Sequence, residues 1–144
     1  MTTIKCAMAA AFVAAAGLLA AGPAAAQDKP KPLASGEFHK VEKDAKGKAT
    51  VYQAGDGKRT LRLSDFETEN GPDLHVVLID AEDAKDADTV KKAKKIELGK
   101  LKGNKGNQNY ELPADADMAK VKTVVIWCER FELCFAAAPL KDEK

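Results

Sequence analysis

The chain has 144 residues, of which 23 are Lys or Arg and 22 are Asp or Glu, so its formal net charge at pH 7 is +1. A nearly neutral chain lacks the concentrated positive charge with which proteins bind nucleic acid or an anionic membrane surface, and neither partner is expected. The length is sufficient for one domain with one hydrophobic core.

The N-terminus has the pattern of an export signal. Lys5 supplies a positive charge, an uncharged run rich in alanine and leucine follows, and Pro23 and three alanines precede Gln27. We predict a helical signal peptide over residues 1–26, cleavage after Ala26, and secretion, into the periplasm of a bacterium. A membrane anchor needs about 20 apolar residues. The run is shorter, so no stable anchor is expected after cleavage. Cys6 is removed together with the signal peptide.

Residues 27–34 are rich in proline and lysine and predict a flexible tether. Beyond them, short apolar or alternating runs separated by turn signals predict about eight short strands, over 36–41, 49–53, 59–63, 73–79, 96–102, 109–112, 123–128 and 133–137. This pattern indicates an all-β, single-domain antiparallel β-sandwich or flattened barrel. The run at 123–128 is apolar at successive positions, which is typical of a central strand packed on both faces.

The segment between the fourth and fifth predicted strands has a different composition. Acidic residues come first and lysines last, an order that suits the dipole of a helix, so one short surface helix is predicted around residues 82–94. Its acidic cluster lacks the alternating carboxylates and the bidentate glutamate of a calcium-binding loop. We interpret the cluster as a solvated helix face; its members are Asp80, Glu82, Asp83, Asp86 and Asp88.

The sequence contains few patterns typical of catalytic or metal-binding sites. His39 and His75 lie in separate predicted strands without a second histidine at ligand spacing, so no metal site is predicted and each is interpreted as a surface or core-edge residue. No nucleophile turn is present, and no catalytic acid or base stands out, so the sequence favours a non-enzymatic protein. A haem or copper centre from His75, Met118 and Cys128 has little support from spacing.

The loop at 103–108 is rich in glycine and asparagine. Its glycines permit positive φ angles, which could turn successive N–H groups toward an anion. The loop lacks the Gly-Lys-Ser/Thr ending of a phosphate-binding loop. A structural turn is favoured, and a ligand rim is the alternative; the rim residues would be Gly103, Asn104, Gly106 and Asn107.

Two cysteines, Cys128 and Cys134, lie six positions apart near the C-terminus. If residues 129–133 turn the chain back, the two face each other across a hairpin, with Cβ atoms about 4.5–5.5 Å apart, and a somewhat strained disulfide could form. If the strand continues straight, about 3.3 Å per residue separates them by roughly 20 Å and no bridge is possible. The sequence leaves both geometries open, with the bridged pair a candidate disulfide in an oxidising compartment.

Several short sequence motifs occur in a fixed order and are more specific than the overall composition. They are Leu61-Arg62-Leu63, Phe66-Glu67-Thr68, Asn70-Gly71-Pro72-Asp73-Leu74, Leu101-Lys102-Gly103-Asn104, Gly106-Asn107-Gln108-Asn109-Tyr110, Val125-Ile126-Trp127-Cys128 and Ala138-Pro139-Leu140. Together they resemble the DM-thirteen domain family of small extracellular domains, found alone in exported bacterial proteins and beside DOMON domains. The resemblance covers residues 35–141.

This resemblance implies an electron-transfer domain whose redox residue corresponds to Cys128, acting as a bare thiol or through a bound group such as haem. Cys134 departs from the family pattern, and it could either bridge Cys128 or serve as its resolving thiol. The leading hypothesis is an exported redox domain centred on Cys128, with a redox or cell-envelope protein as partner and no cofactor required. The alternatives are a non-enzymatic binding or cell-envelope interaction module with structural cysteines and, third, a haem or metal carrier.

Overall fold

The computed structural model describes residues 29–143, so the predicted signal over 1–26 lies outside the described residues. This part of the chain is all-β, as predicted, with ten strands and one short helix. The elements are β1 (Lys31–Glu37), β2 (His39–Lys40), β3 (Ala45–Gln53), β4 (Arg59–Thr68), β5 (Leu74–Ile79), α1 (Ala87–Lys92), β6 (Lys95–Lys100), β7 (Gln108–Glu111), β8 (Thr123–Cys128), β9 (Leu133–Pro139) and β10 (Lys141–Asp142).

The strands form two antiparallel sheets of five strands each. Sheet A has the order β10-β1-β3-β4-β7, and sheet B has the order β2-β9-β8-β5-β6. The two sheets are separate and each has free edges, so the sandwich prediction is confirmed and the flattened barrel is wrong. The two additional strands, β2 and β10, have two residues each and lie at sheet edges.

Two hydrophobic clusters explain the apolar pattern of sheet B. The inter-sheet core contains the inward residues of both sheets, among them Leu61, Val76 and Ile126. A second, outer cluster lies on the far face of sheet B, where α1 and the preceding loop cover residues such as Val125. All six residues of β8 are buried, which confirms the predicted central strand packed on both faces.

The domain begins earlier than its predicted boundary. β1 starts at Lys31 and pairs with β3 over Lys31–Glu37, so the second half of the segment predicted as a tether is strand. The register shifts between Pro32 and Ala34, which accommodates a proline that has no N–H to donate. Backbone pairing and the buried Ala34 therefore outweigh the polar composition of this segment.

The helix is present but shorter than predicted. α1 spans Ala87–Lys92, and Asp86 caps it in an extended conformation, with its carboxylate accepting a hydrogen bond from the Thr89 N–H at 2.8 Å. This hydrogen bond lowers the pKa of Asp86. Val90 is the buried residue of the helix, and acidic and basic residues occupy its first and last turns as the sequence indicates. The cap starts the helix at 87 because the Asp86 backbone is not helical.

A histidine ties the loop before α1 to the edge of sheet B. The His39 imidazole lies 2.6 Å from an Asp83 carboxylate oxygen and 2.9 Å from the Lys40 carbonyl. Partial burial opposes protonation, but the hydrogen bonds to Lys40 and Asp83 and the Asp83 charge outweigh it and raise the pKa of His39 above 6.5.

We expect this contact to make stability depend on pH. Because the folded-state pKa is raised, the contribution is complete below the unfolded value of 6.5 and is lost as pH rises through the folded value. Urea denaturation of the wild type and of His39→Gln should therefore differ more at about pH 5.5 than at about pH 8.5. Asp83→Asn serves as the control and should reduce this pH dependence, leaving the part due to the Lys40 carbonyl; a difference that grows with pH would contradict the assignment.

No helix among residues 29–143 has the length and apolar character needed to cross a membrane.

Candidate functional site

Cys128, the residue that the sequence singles out, is the last residue of β8. β8 lies in the middle of sheet B between β5 and β9. Cys128 stands opposite Leu74, the first residue of β5, and Leu133, the first residue of β9. The thiol is therefore at the end of the central strand, beside the two loops that precede Leu74 and Leu133.

The Cys128 side chain lies in the inter-sheet core and has no exposed surface. Aromatic rings contribute to the same core: Phe38 and Phe66 meet edge to face with their centroids 5.1 Å apart, and Phe135 is almost fully buried. Gly71, in the loop before β5, lies so close that a Cβ there would be 2.9 Å from the Phe135 ring. The apolar inter-sheet core thus encloses the thiol and keeps it from solvent.

Cys134 lies on the opposite face of sheet B, in the outer cluster, and is also fully buried. Burial raises the pKa of the Cys134 thiol to about 12, and the charges of Asp83, Glu42 and Asp86 act in the same direction. Its Sγ donates a hydrogen bond to the Ala136 carbonyl at 3.6 Å. At neutral pH Cys134 is therefore a protonated thiol with little nucleophilic character.

The candidate disulfide is not formed, since Cys128 and Cys134 are both free thiols. The chain does turn back between β8 and β9, but Cys128 pairs with Leu133 and Cys134 pairs with Trp127. Of the two geometries that the sequence leaves open, the chain adopts the hairpin, but the sulfurs do not meet because of a β-bulge in which Phe135 is an extra residue of β9. Because side chains alternate between faces, one extra residue moves Cys134 to the other side of the sheet.

A polar contact that the sequence does not predict lies on the outer face of sheet B, next to Cys128 along the chain but on the other side of the sheet. Trp127 points to the outer face, and its indole N–H donates to a Glu129 carboxylate oxygen at 3.0 Å. A groove of about 350 Å³ opens there, lined by Val77, Lys91, Lys95, Glu97, Trp127, Glu129 and Glu132. The sequence carries one signal for this contact, the spacing of two between Trp127 and Glu129, because alternate residues of an extended chain point to the same side.

His75 is a neighbour of Trp127 across the β5–β8 pair, on the outer face. Its Nε2 lies 2.8 Å from an Asp73 carboxylate oxygen, and its Nδ1 hydrogen-bonds to the Glu97 carboxylate. Both ring nitrogens are therefore engaged within the chain, and neither offers a free lone pair to a metal ion. Asp73 is two positions away in sequence, but the Glu97 contact depends on strand pairing that the sequence alone does not reveal.

The predicted rim loop is held against the end of β4. The Asn104 carbonyl accepts from the Thr68 N–H at 2.9 Å, the Gly106 N–H donates to the Phe66 carbonyl at 2.8 Å, and the Asn107 side chain accepts from the Asp65 N–H at 2.8 Å. The Gly103 carbonyl accepts from the Gln108 side chain at 2.9 Å. These contacts give the loop a structural role, and its role as a ligand rim stays a prediction.

The residues present do not fit a haem or copper centre on Cys128. His75 faces the outer side of sheet B whereas Cys128 faces the inter-sheet core, so the two cannot ligate one group. Cys128 does not line the surface cavities of about 350 to 580 Å³ that open elsewhere in the described part of the chain. Within residues 29–143, no group of three or more His, Cys, Asp or Glu side chains is placed to hold a metal ion.

Comparison with known proteins gives a family match over most of the chain. The model of a family described as "Electron transfer DM13" matches residues 37–140. No curated protein matches, and no solved structure matches. The family match spans well over half of the 144 residues and agrees with the ordered sequence motifs described above. The chain therefore belongs to the electron transfer DM13 family.

Proposed function

We propose that this electron-transfer domain uses the thiol of Cys128 as its redox group. The observation that carries the proposal is the position of Cys128 at the end of the central strand, beside two loops that can admit a reactant. Burial raises the pKa of the Cys134 thiol to about 12, which disfavours its thiolate, and Cys134 departs from the family pattern, whose redox residue corresponds to Cys128. Membership of the DM13 family supports the electron-transfer role.

The chemistry that a bare thiol offers is exchange with a disulfide of a partner protein. The thiolate of Cys128 attacks one sulfur of the partner disulfide, a new S–S bond forms, the old S–S bond breaks, and the other partner sulfur leaves as a thiolate that takes up the proton lost by Cys128. Cys128 is oxidised to a mixed disulfide and the leaving sulfur is reduced to a thiol. A dithiol of a separate electron donor then reduces the mixed disulfide, so that the partner leaves as a dithiol, the donor is oxidised to a disulfide and Cys128 is restored as a thiol.

A fully buried thiol needs a local opening before it can react. The turn at 129–132, which directly follows Cys128, is the part of the site most suited to open. Phe131 is 58% exposed there, and Glu132 has a left-handed backbone with φ of 51°. Segments with few buried contacts open at low free-energy cost, so movement of this turn would admit a disulfide to the thiol.

We also propose that the chain is exported and that its partner is a redox or cell-envelope protein. The signal pattern at 1–26 supports export, and an oxidising compartment supplies protein disulfides. N-terminal sequencing of the protein recovered from the extracytoplasmic fraction should start at Gln27. Recovery of the chain in the cytoplasm with its N-terminus intact would contradict export.

The test of the thiol compares Cys128→Ala with its matched control, Cys134→Ala, in a Cys6→Ser background. Both remove a fully buried thiol and leave a small apolar side chain. After incubation with oxidised glutathione, mass spectrometry should show one glutathione adduct on the parent and on Cys134→Ala, and at least a tenfold slower reaction of Cys128→Ala. Equal reaction of the two variants, with both folded by circular dichroism, would overturn the proposal.

A second candidate function is a binding or cell-envelope interaction module in which both cysteines are structural. The complete burial of both thiols favours it, because a free cysteine in a core packs as a small apolar residue. On this view Cys128→Ala changes stability alone. No adduct on the folded parent, together with a lower unfolding midpoint for Cys128→Ala, would favour this function over electron transfer.

A further inference from the structure

The register of the β8–β9 hairpin separates two thiols that a regular hairpin would bring together. Val125 pairs with Ala137 and Ile126 with Ala136, and continuing this register would place Cys134 directly opposite Cys128. The observed register instead shifts by one residue after Ile126. The two thiols therefore lie on opposite sides of sheet B, with the sheet backbone between them.

Backbone hydrogen bonds from the neighbouring segment 41–43 hold the bulge in place. The Phe135 carbonyl accepts from the Val41 N–H at 3.2 Å and from the Lys43 N–H at 3.1 Å, and the Cys134 carbonyl accepts from the Glu42 N–H at 3.1 Å. The segment 41–43 thus runs alongside the bulge and satisfies its carbonyl groups. A shift of register would break these three hydrogen bonds.

The side chains of the bulge oppose a shift as well. Phe135 is 2% exposed and fills the inter-sheet core against Gly71. Removing the bulge would bring Cys134 inward, carry the Phe135 ring out of the core, and turn Leu133 to the outer face, because a one-residue slip exchanges the two faces of a strand. The fold therefore excludes the register in which the two sulfurs could bond.

From this geometry we infer that Cys128 is a single-thiol site whose resolving thiols come from a separate electron donor. The inference rests on the proposed redox role of Cys128 and specifies the donor: a protein with two thiols close together. In the first step one donor thiolate attacks the Cys128 sulfur of the mixed disulfide, and the first partner leaves as a dithiol. In the second step the other donor thiolate attacks the donor sulfur now bonded to Cys128, a disulfide forms within the donor, and Cys128 leaves as a thiolate that takes up a proton lost by the donor. Cys134 takes no part in either step.

The test moves the second thiol by one position. In a Cys6→Ser background, Leu133→Cys combined with Cys134→Ser keeps two cysteines but places the second directly opposite Cys128. With diamide, which takes up the two electrons and two protons released, this double variant should form an intramolecular disulfide and lose both free thiols. The parent should keep two free thiols when it is unfolded and titrated. Leu133→Ala with Cys134→Ser is the control for the loss of the leucine side chain and should keep its single thiol.

The glutathione adduct of Cys128 provides the second readout. In the parent it should persist until a thiol such as dithiothreitol is added, whereas in the double variant the introduced cysteine should release glutathione at least tenfold faster without any added thiol. An intramolecular disulfide in the parent, or release from its adduct as fast as from the double variant, would overturn the inference. Absence of any adduct would overturn the proposed function, and the diamide experiment would still test the separation of the thiols.

Discussion

Phe135→Ala is expected to lower the free energy of unfolding by about 3–5 kcal/mol, the usual cost of removing a buried phenylalanine ring. The ring is 2% exposed, lies close to Gly71 and belongs to the inter-sheet core that also contains Cys128. The same change should increase the reactivity of Cys128 toward a thiol reagent, because it opens a cavity in the core that contains the thiol. Urea denaturation followed by the fluorescence of Trp127, the one tryptophan of the chain, measures the first effect.

Phe131→Ala is the matched control for this experiment. Phe131 is 58% exposed in the turn at 129–132, so its removal should change the free energy of unfolding by about 0.5 kcal/mol or less. Equal losses for the two variants would show that the Phe135 ring is not the core contact described above. Unchanged Cys128 reactivity in a folded Phe135→Ala variant would show that the ring does not control access to the thiol.

Gly47→Ala is expected to destabilise the domain by about 4 kcal/mol, as the sum of backbone strain and a steric clash of about 1–3 kcal/mol each. Gly47 lies at a bulge of β3 with φ of +116°, and a Cβ there would be 2.7 Å from the Phe66 Cα and 2.9 Å from the Asp65 and Ser64 carbonyl oxygens. These neighbours are backbone atoms of β4, so they cannot rotate away. The unfolding midpoint in urea measures the loss.

Gly99→Ala separates the strain from the clash. Gly99 has nearly the same backbone angle, with φ of +121°, but a Cβ there would meet no atom within 4 Å. Gly99→Ala should therefore lower the free energy of unfolding only by the strain contribution of about 1–3 kcal/mol. If Gly47→Ala were no more destabilising than Gly99→Ala, the close approach of β3 and β4 would not contribute.

The sequence predicts those features of the fold that depend on local pattern. β8 is a continuous apolar run, and its burial on both faces follows from that pattern. α1 follows from charge order, although its start depends on the cap at Asp86, which residue composition does not locate. The start of β1 was missed because its pairing with β3 comes from tertiary contact rather than from its own side chains.

The candidate site was less predictable, because it depends on register. The sequence places Cys128 at the end of a central strand, and the structure agrees. Whether Cys134 faces it is decided by the extra residue at Phe135, and a bulge leaves no mark in a run of apolar residues such as Leu133–Pro139. The contact of His75 with Glu97 likewise depends on which residues of β5 and β6 pair.

The sheet edges have a consequence for how copies of this domain meet other chains. Sheet A ends in β10 with two residues and β7 with four, and sheet B ends in β2 with two residues and in β6, which is interrupted by a bulge and carries lysines at both ends. Short, bulged or lysine-bearing edges are poor templates for adding a strand from another molecule. The described domain is thereby protected against edge-to-edge aggregation, and a partner of the kind proposed above would be recognised by side chains and turns rather than by backbone pairing.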